Sequence, residues 1–105
     1  MRIFATVVFS DLSGSTALYE SLGNERASQA VTRLTRWMGD VVVGHGGRVV
    51  KELGDGVLSV FTDAHAAVHA AADLQRDHQL TLARWAEPMR MAIRIGVATG
   101  EVVEL

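Results

Sequence analysis

Two aspartates are set among residues that could do phosphate chemistry. Asp11 closes a β-prone run and is followed by Ser13-Gly14-Ser15-Thr16, while Asp55 lies between Gly54 and Gly56. A carboxylate at a strand end offers a hard oxygen ligand. The small-residue turn after it, leading into a helix, offers backbone N–H groups and the positive end of a helix dipole, in outline a phosphate cradle. The plainer reading is that Ser13 or Ser15 caps the helix and Asp11 sits in a polar turn. Asp55 alone reads first as an ordinary Asp-Gly hairpin turn. The combination changes the weighing, because two carboxylates meeting at one end of a sheet supply what two-metal phosphoryl chemistry needs. Substrate phosphates then complete each metal shell.

Other residue types carry less. His65 and His69 share the i, i+4 spacing of helical metal ligands, but Ala66, Ala67 and Val68 lie between them, so the glutamate of an H-E-x-x-H zinc motif is missing. His45 and His78 have no evident partner in the sequence. Trp37 and Met38 fall in an apolar helical stripe and read as core or interface. Arg90 and Arg94 alternate along a strand; phosphate contact is one reading, an exposed strand face the simpler one.

The elements that must position the aspartates follow from periodicity. Arg2 to Ser10 reads as a strand, with Ile3, Ala5, Val7 and Phe9 on one face and Phe4 and Val8 on the other. Asp11 to Thr16 reads as a turn, then a short helix stopped by Gly23. Asn24 is expected to cap a longer helix whose stripe is Ala27, Ala30, Val31, Leu34, Trp37, Met38 and Val41, ended by Gly44, Gly46 and Gly47. Arg48 to Leu53 and Val57 to Phe61 read as an antiparallel hairpin around Gly54-Asp55-Gly56. Thr62 or Asp63 can cap a third helix to about Leu80, with Ala67, Val68, Ala71 and Leu74 inward. Thr81 to Pro88 reads as a connection, Met89 to Gly100 as an alternating strand, and Glu101 to Leu105 as the start of another. This order predicts an α/β (α+β) fold, the ferredoxin-like βαββαβ arrangement, with the hairpin tip at the sheet end where the first strand exits.

Three segments resemble class III nucleotidyl cyclase catalytic domains. Phe9 to Thr16 is similar to their F-T-D-I-x-G-S-T, Lys51 to Gly56 to K-x-x-G-D-G, and Arg94 to Glu101 to R-I-G-I-H-T-G-E. Ser10, Leu12 and Ala98 depart from the pattern without removing a side chain expected to ligate metal. The resemblance implies that Asp11 and Asp55 hold two Mg2+ or Mn2+ ions with the Leu12 carbonyl, and that amides of Gly14, Ser15 and Thr16 hold phosphates. It implies that Lys51 reads adenine across a homodimer interface and favours ATP over GTP. The implied reaction is ATP to 3',5'-cyclic AMP and pyrophosphate. The family's later base-reading residue, asparagine and arginine have no counterpart here, so residues 1–105 are expected to be an incomplete N-terminal portion, inactive alone. The alternative is a non-catalytic cyclase-like module that binds nucleotide or regulates a partner, against which Asp11, Lys51 and Asp55 all stand intact. A diguanylate cyclase would show a G-G-D-E-F hairpin, which is absent.

Composition narrows the remaining classes. The 105 residues are 49% apolar, enough for one compact core. A net charge of -2 and a pI near 6.0 provide no basic field for nucleic acid. Without cysteine there is neither a disulfide framework nor a thiolate metal site, and the composition fits a cytoplasmic setting. No apolar run approaches the ~20 residues of a membrane span, and no membrane contact is expected. An attached regulatory domain is compatible with all of this.

Overall fold

The computed structural model describes residues 2–82 and 91–103. Its elements are β1 (Arg2–Ser13), α1 (Ser15–Leu22), α2 (Asn24–Gly44), β2 (Arg48–Leu53), β3 (Gly56–Phe61), α3 (Ala64–Leu82) and β4 (Ala92–Val103). The sheet runs β2-β3-β1-β4 with every neighbour antiparallel, so the predicted ferredoxin-like order is the one observed. Central β1 pairs with β3 from Thr6↔Phe61 to Asp11↔Gly56, and with β4 from Arg2↔Val103 to Ser13↔Ala92.

Both long helices pack on one face of the sheet. Val8 and Leu12 of β1, Val57 and Phe61 of β3 and Ile93 of β4 meet Ala27, Val31, Met38 and Val42 of α2 and Ala67, Ala70 and Leu74 of α3, all buried. Thr6, Val8, Ser10 and Leu12 of β1 therefore point to the core, while Phe4, near the start of the strand, is exposed. By the period of two, Val7, Phe9 and Asp11 point to the opposite face, which no described helix covers. The Gln75 side-chain amide donates to the Ile93 carbonyl at 2.8 Å, and the Thr6 and Thr99 hydroxyls pair at 2.8 Å.

Several boundaries differ from expectation for identifiable reasons. β1 does not stop at Ser10: Asp11, Leu12 and Ser13 continue the ladder opposite Arg94, Ile93 and Ala92, so the anticipated turn shrinks to Gly14. β4 likewise runs through Gly100 to Val103 as one strand, because Gly100 pairs with Ala5 within the same ladder. Asn24 is the first residue of α2, not its cap; Gly23 holds the cap position at φ 81°. Asp63 does cap α3, accepting from the His65 N–H at 2.9 Å. That helix includes Thr81 and Leu82, and it turns Ala70 inward and leaves Val68 56% exposed. The expectations for 83–90 and 104–105 lie outside the described residues.

Candidate active site

The site begins with alternation in β1. Leu12 is buried against the helices, which fixes the strand's rotation and sends its neighbour Asp11 to the open face. In register, Asp11 stands between Gly56 of β3 and Arg94 of β4. The Leu12 N–H donates to the Asp55 carbonyl at 2.8 Å, joining the end of β1 to the hairpin tip. In an extended strand the N–H and C=O of one residue point to the same edge, so the Leu12 carbonyl also faces the hairpin. Gly56 allows this approach: a Cβ there would lie 2.6 Å from the Ser10 carbonyl oxygen and 3.0 Å from the Asp11 Cβ. The structure thus brings Asp11, Leu12 and Asp55 to one sheet end. The Asp55 side chain is exposed at the tip.

Gly14, Ser15 and Thr16 follow directly. Gly14 adopts a left-handed φ of 86° and forms the N-cap of α1 without a side-chain hydrogen bond. Neither serine therefore acts as the cap; Ser13 Oγ instead donates to the Ala92 carbonyl at 3.5 Å. Buried Leu18 seats α1 on the core. The first N–H groups of the helix, left without a side-chain acceptor, lie just beyond the strand that carries Asp11.

Lys51 is on the same sheet but not at the same point. A register shift between Val49 and Lys51 pairs Val49 with buried Ser59 and Lys51 with Leu58. Without that bulge Lys51 would share the helix-facing side with Val49; with it, the residue turns to the open face. The Lys51 row continues through Leu58 and Phe9 to Gly96, two residues along from the row of Asp11. Standard strand spacings put its Cα roughly 12 Å from that of Asp11, a gap one lysine side chain does not close.

Arg94 is the residue whose placement the sequence reading missed. Its Nε and Nη2 donate to Asp11 Oδ1 and Oδ2 at 3.2 and 3.1 Å. Antiparallel pairing of the first and last strands follows from the predicted fold, but the register that sets Arg94 opposite Asp11 does not, so the sequence carried no direct signal for this contact. The histidines need correction too. His45, which lacked an evident partner, bonds Asp73 at 2.8 Å. Buried His78 reaches the Met91 carbonyl through Nε2 and stacks on Trp37 at a ring separation of 6.4 Å. His65 and His69 are exposed on α3. Among the described residues no group of three or more His, Cys, Asp or Glu side chains gathers as a metal site, and no helix is long and apolar enough to cross a membrane.

Known proteins are similar to this chain in sequence and in fold. Residues 4–104 match the family described as the adenylate and guanylate cyclase catalytic domain. An uncharacterized protein of Mycobacterium tuberculosis is 39% identical over 97 residues, and an adenylate cyclase of Streptomyces coelicolor is 34% identical over 96 residues. These matches cover 92% and 91% of the chain but only 24% of each relative. Among solved structures, a bacterial light-regulated adenylyl cyclase superposes with a TM-score of 0.86 at 22% identity, over 98% of this chain and 56% of that one, a likeness of fold. The guanylyl cyclase Cya2 superposes with a TM-score of 0.79 at 27% identity, over 96% of this chain and 56% of that one.

Proposed function

The chain belongs to the adenylate and guanylate cyclase catalytic domain family, and from that premise we propose that it is the N-terminal portion of a domain converting ATP to 3',5'-cyclic AMP and pyrophosphate. The observation that carries this reading is the 2.8 Å bond from the Leu12 N–H to the Asp55 carbonyl, which draws the two aspartates to one end of the open sheet face. Family members generally use divalent metal ions and act as dimers. Two carboxylates and a carbonyl form an all-oxygen donor set suited to Mg2+ or Mn2+, and so small a set leaves coordination positions for substrate phosphates. Asp11, Asp55 and the Leu12 carbonyl would hold these ions. When bound, they supply Lewis-acid activation of a ribose hydroxyl and neutralise charge on departing pyrophosphate.

The chain's own groups position the triphosphate. The amides of Gly14, Ser15 and Thr16 hold phosphate oxygens, a reading supported by the left-handed turn at Gly14 and by the absence of a side-chain cap on α1. Lys51 donates to acceptors on adenine in the site of a second copy, the role implied by the resemblance of Lys51 to Gly56 to the family's K-x-x-G-D-G hairpin. A lysine at that position supports ATP over GTP, although both cyclase types occur among the similar proteins. The cysteine-free composition supports a cytoplasmic setting.

The test uses the full-length protein. Asp11→Asn and Asp55→Asn are each expected to lower Mg2+- or Mn2+-dependent cyclic AMP formation by ~10² or more, the scale set by losing one preorganised electrostatic contact. Both folds should persist, because neither carboxylate supports the core. Near-normal turnover with ordinary metal dependence in either variant would refute the assignment.

A further inference from the structure

Asp11 already has a cation beside it. The Arg94 guanidinium engages both carboxylate oxygens, Nε to Oδ1 at 3.2 Å and Nη2 to Oδ2 at 3.1 Å, the paired geometry in which an arginine matches a carboxylate most specifically. Among the described residues Asp55 has no such partner. The two sides of the ion pair are unequally held. Asp11 is 16% exposed on a strand pinned by its buried neighbours Ser10 and Leu12, whereas the Arg94 side chain is 70% exposed. The guanidinium can therefore swing into solvent while the carboxylate stays in place.

We propose that Arg94 is a positioning residue that holds the Asp11 carboxylate when no metal is bound and competes with divalent cations for it. The inference rests on Asp11 being a metal ligand. A cation arriving at Asp11 must displace at least one guanidinium bond and then tolerate a positive neighbour. The guanidinium stands largely in water, which screens its charge, so the competition adjusts metal affinity without blocking it.

The experiment is a Mn2+ titration of the full-length protein without nucleotide, followed by the electron paramagnetic resonance signal of free Mn2+. Wild type is compared with Arg94→Met, Arg94→Lys and Asp11→Asn. Arg94→Met is expected to bind Mn2+ about three- to tenfold more tightly than wild type, since a partly screened like charge and one exposed ion pair are removed. Arg94→Lys should fall between them, because lysine keeps the charge but cannot engage both oxygens at once. Both substitutions are on the solvent side and leave the core untouched. Unchanged or weaker Mn2+ binding by Arg94→Met, with Asp11→Asn still losing affinity, overturns the competition and leaves the metal site standing. Wild-type affinity in Asp11→Asn removes the metal assignment and this inference together.

Discussion

Lys51 and Asp11 differ in what a single chain can do with them. Asp11 lies in direct register with the hairpin that carries Asp55, while Lys51 is turned to the open face by a bulge and stands two strands away. An ammonium group donates to adenine acceptors; a carboxylate in its place would accept from the guanine edge and repel phosphate. Lys51→Glu is therefore expected to reduce kcat/KM for ATP by ~10² or more, with the melting temperature little changed because the side chain is exposed. Steady-state kinetics with ATP check this, and unchanged values would remove Lys51 from base recognition.

At the scale of elements, the site depends on how closely β3 approaches β1. Gly56 is buried with the Ser10 carbonyl against it, so a larger residue must push the hairpin tip outward and carry Asp55 away from Asp11. Gly56→Val is expected to destabilise the fold by about 1–3 kcal/mol and to lose most cyclase activity even below its melting temperature. Thermal melts paired with activity assays separate the two effects. Much of this layout was legible in advance: the α2 stripe, the Gly54-Asp55-Gly56 hairpin and the strand order all follow from local periodicity and turn chemistry. The extension of β1 through Ser13 was not, since Asp11-Leu12-Ser13-Gly14 has turn composition and only pairing with strands far away in sequence, β3 on one side and β4 on the other, keeps it extended. The pairing of Arg94 was hidden for the same reason, being a property of register between distant strands, and the bulge before Lys51 was hidden because Arg48 to Leu53 carries no residue pattern that marks it. Val68 was misplaced because alanine-rich α3 offers several stripes of similar apolarity.

At the scale of the whole molecule, the sheet has a face that none of the described helices covers, on which Phe9 and Lys51 share one row and Asp11 holds the next. If two copies meet there, each site takes its aspartates from one chain and its lysine from the other. Mixing Asp11→Asn with Lys51→Glu should then restore activity, because a mixed dimer keeps one site with both residues intact. Random pairing gives mixed dimers in half the population, so about one quarter of wild-type turnover is expected. An assay of the mixture against each variant alone checks this; no recovery would place Lys51 and the aspartates in the same chain's site.

The central place of β1 has a further consequence in time. From Thr6 to Asp11 it is bonded on both sides, so its amides open only when the sheet itself comes apart. Asp55 sits in a two-residue turn between two short strands, with its side chain exposed and its carbonyl bonded to the Leu12 N–H. One carboxylate thus belongs to a strand bonded on both sides and the other to an exposed turn. The Leu12 N–H to Asp55 carbonyl bond joins the two, so hydrogen exchange at the Leu12 amide reads how often the turn lets go of the strand.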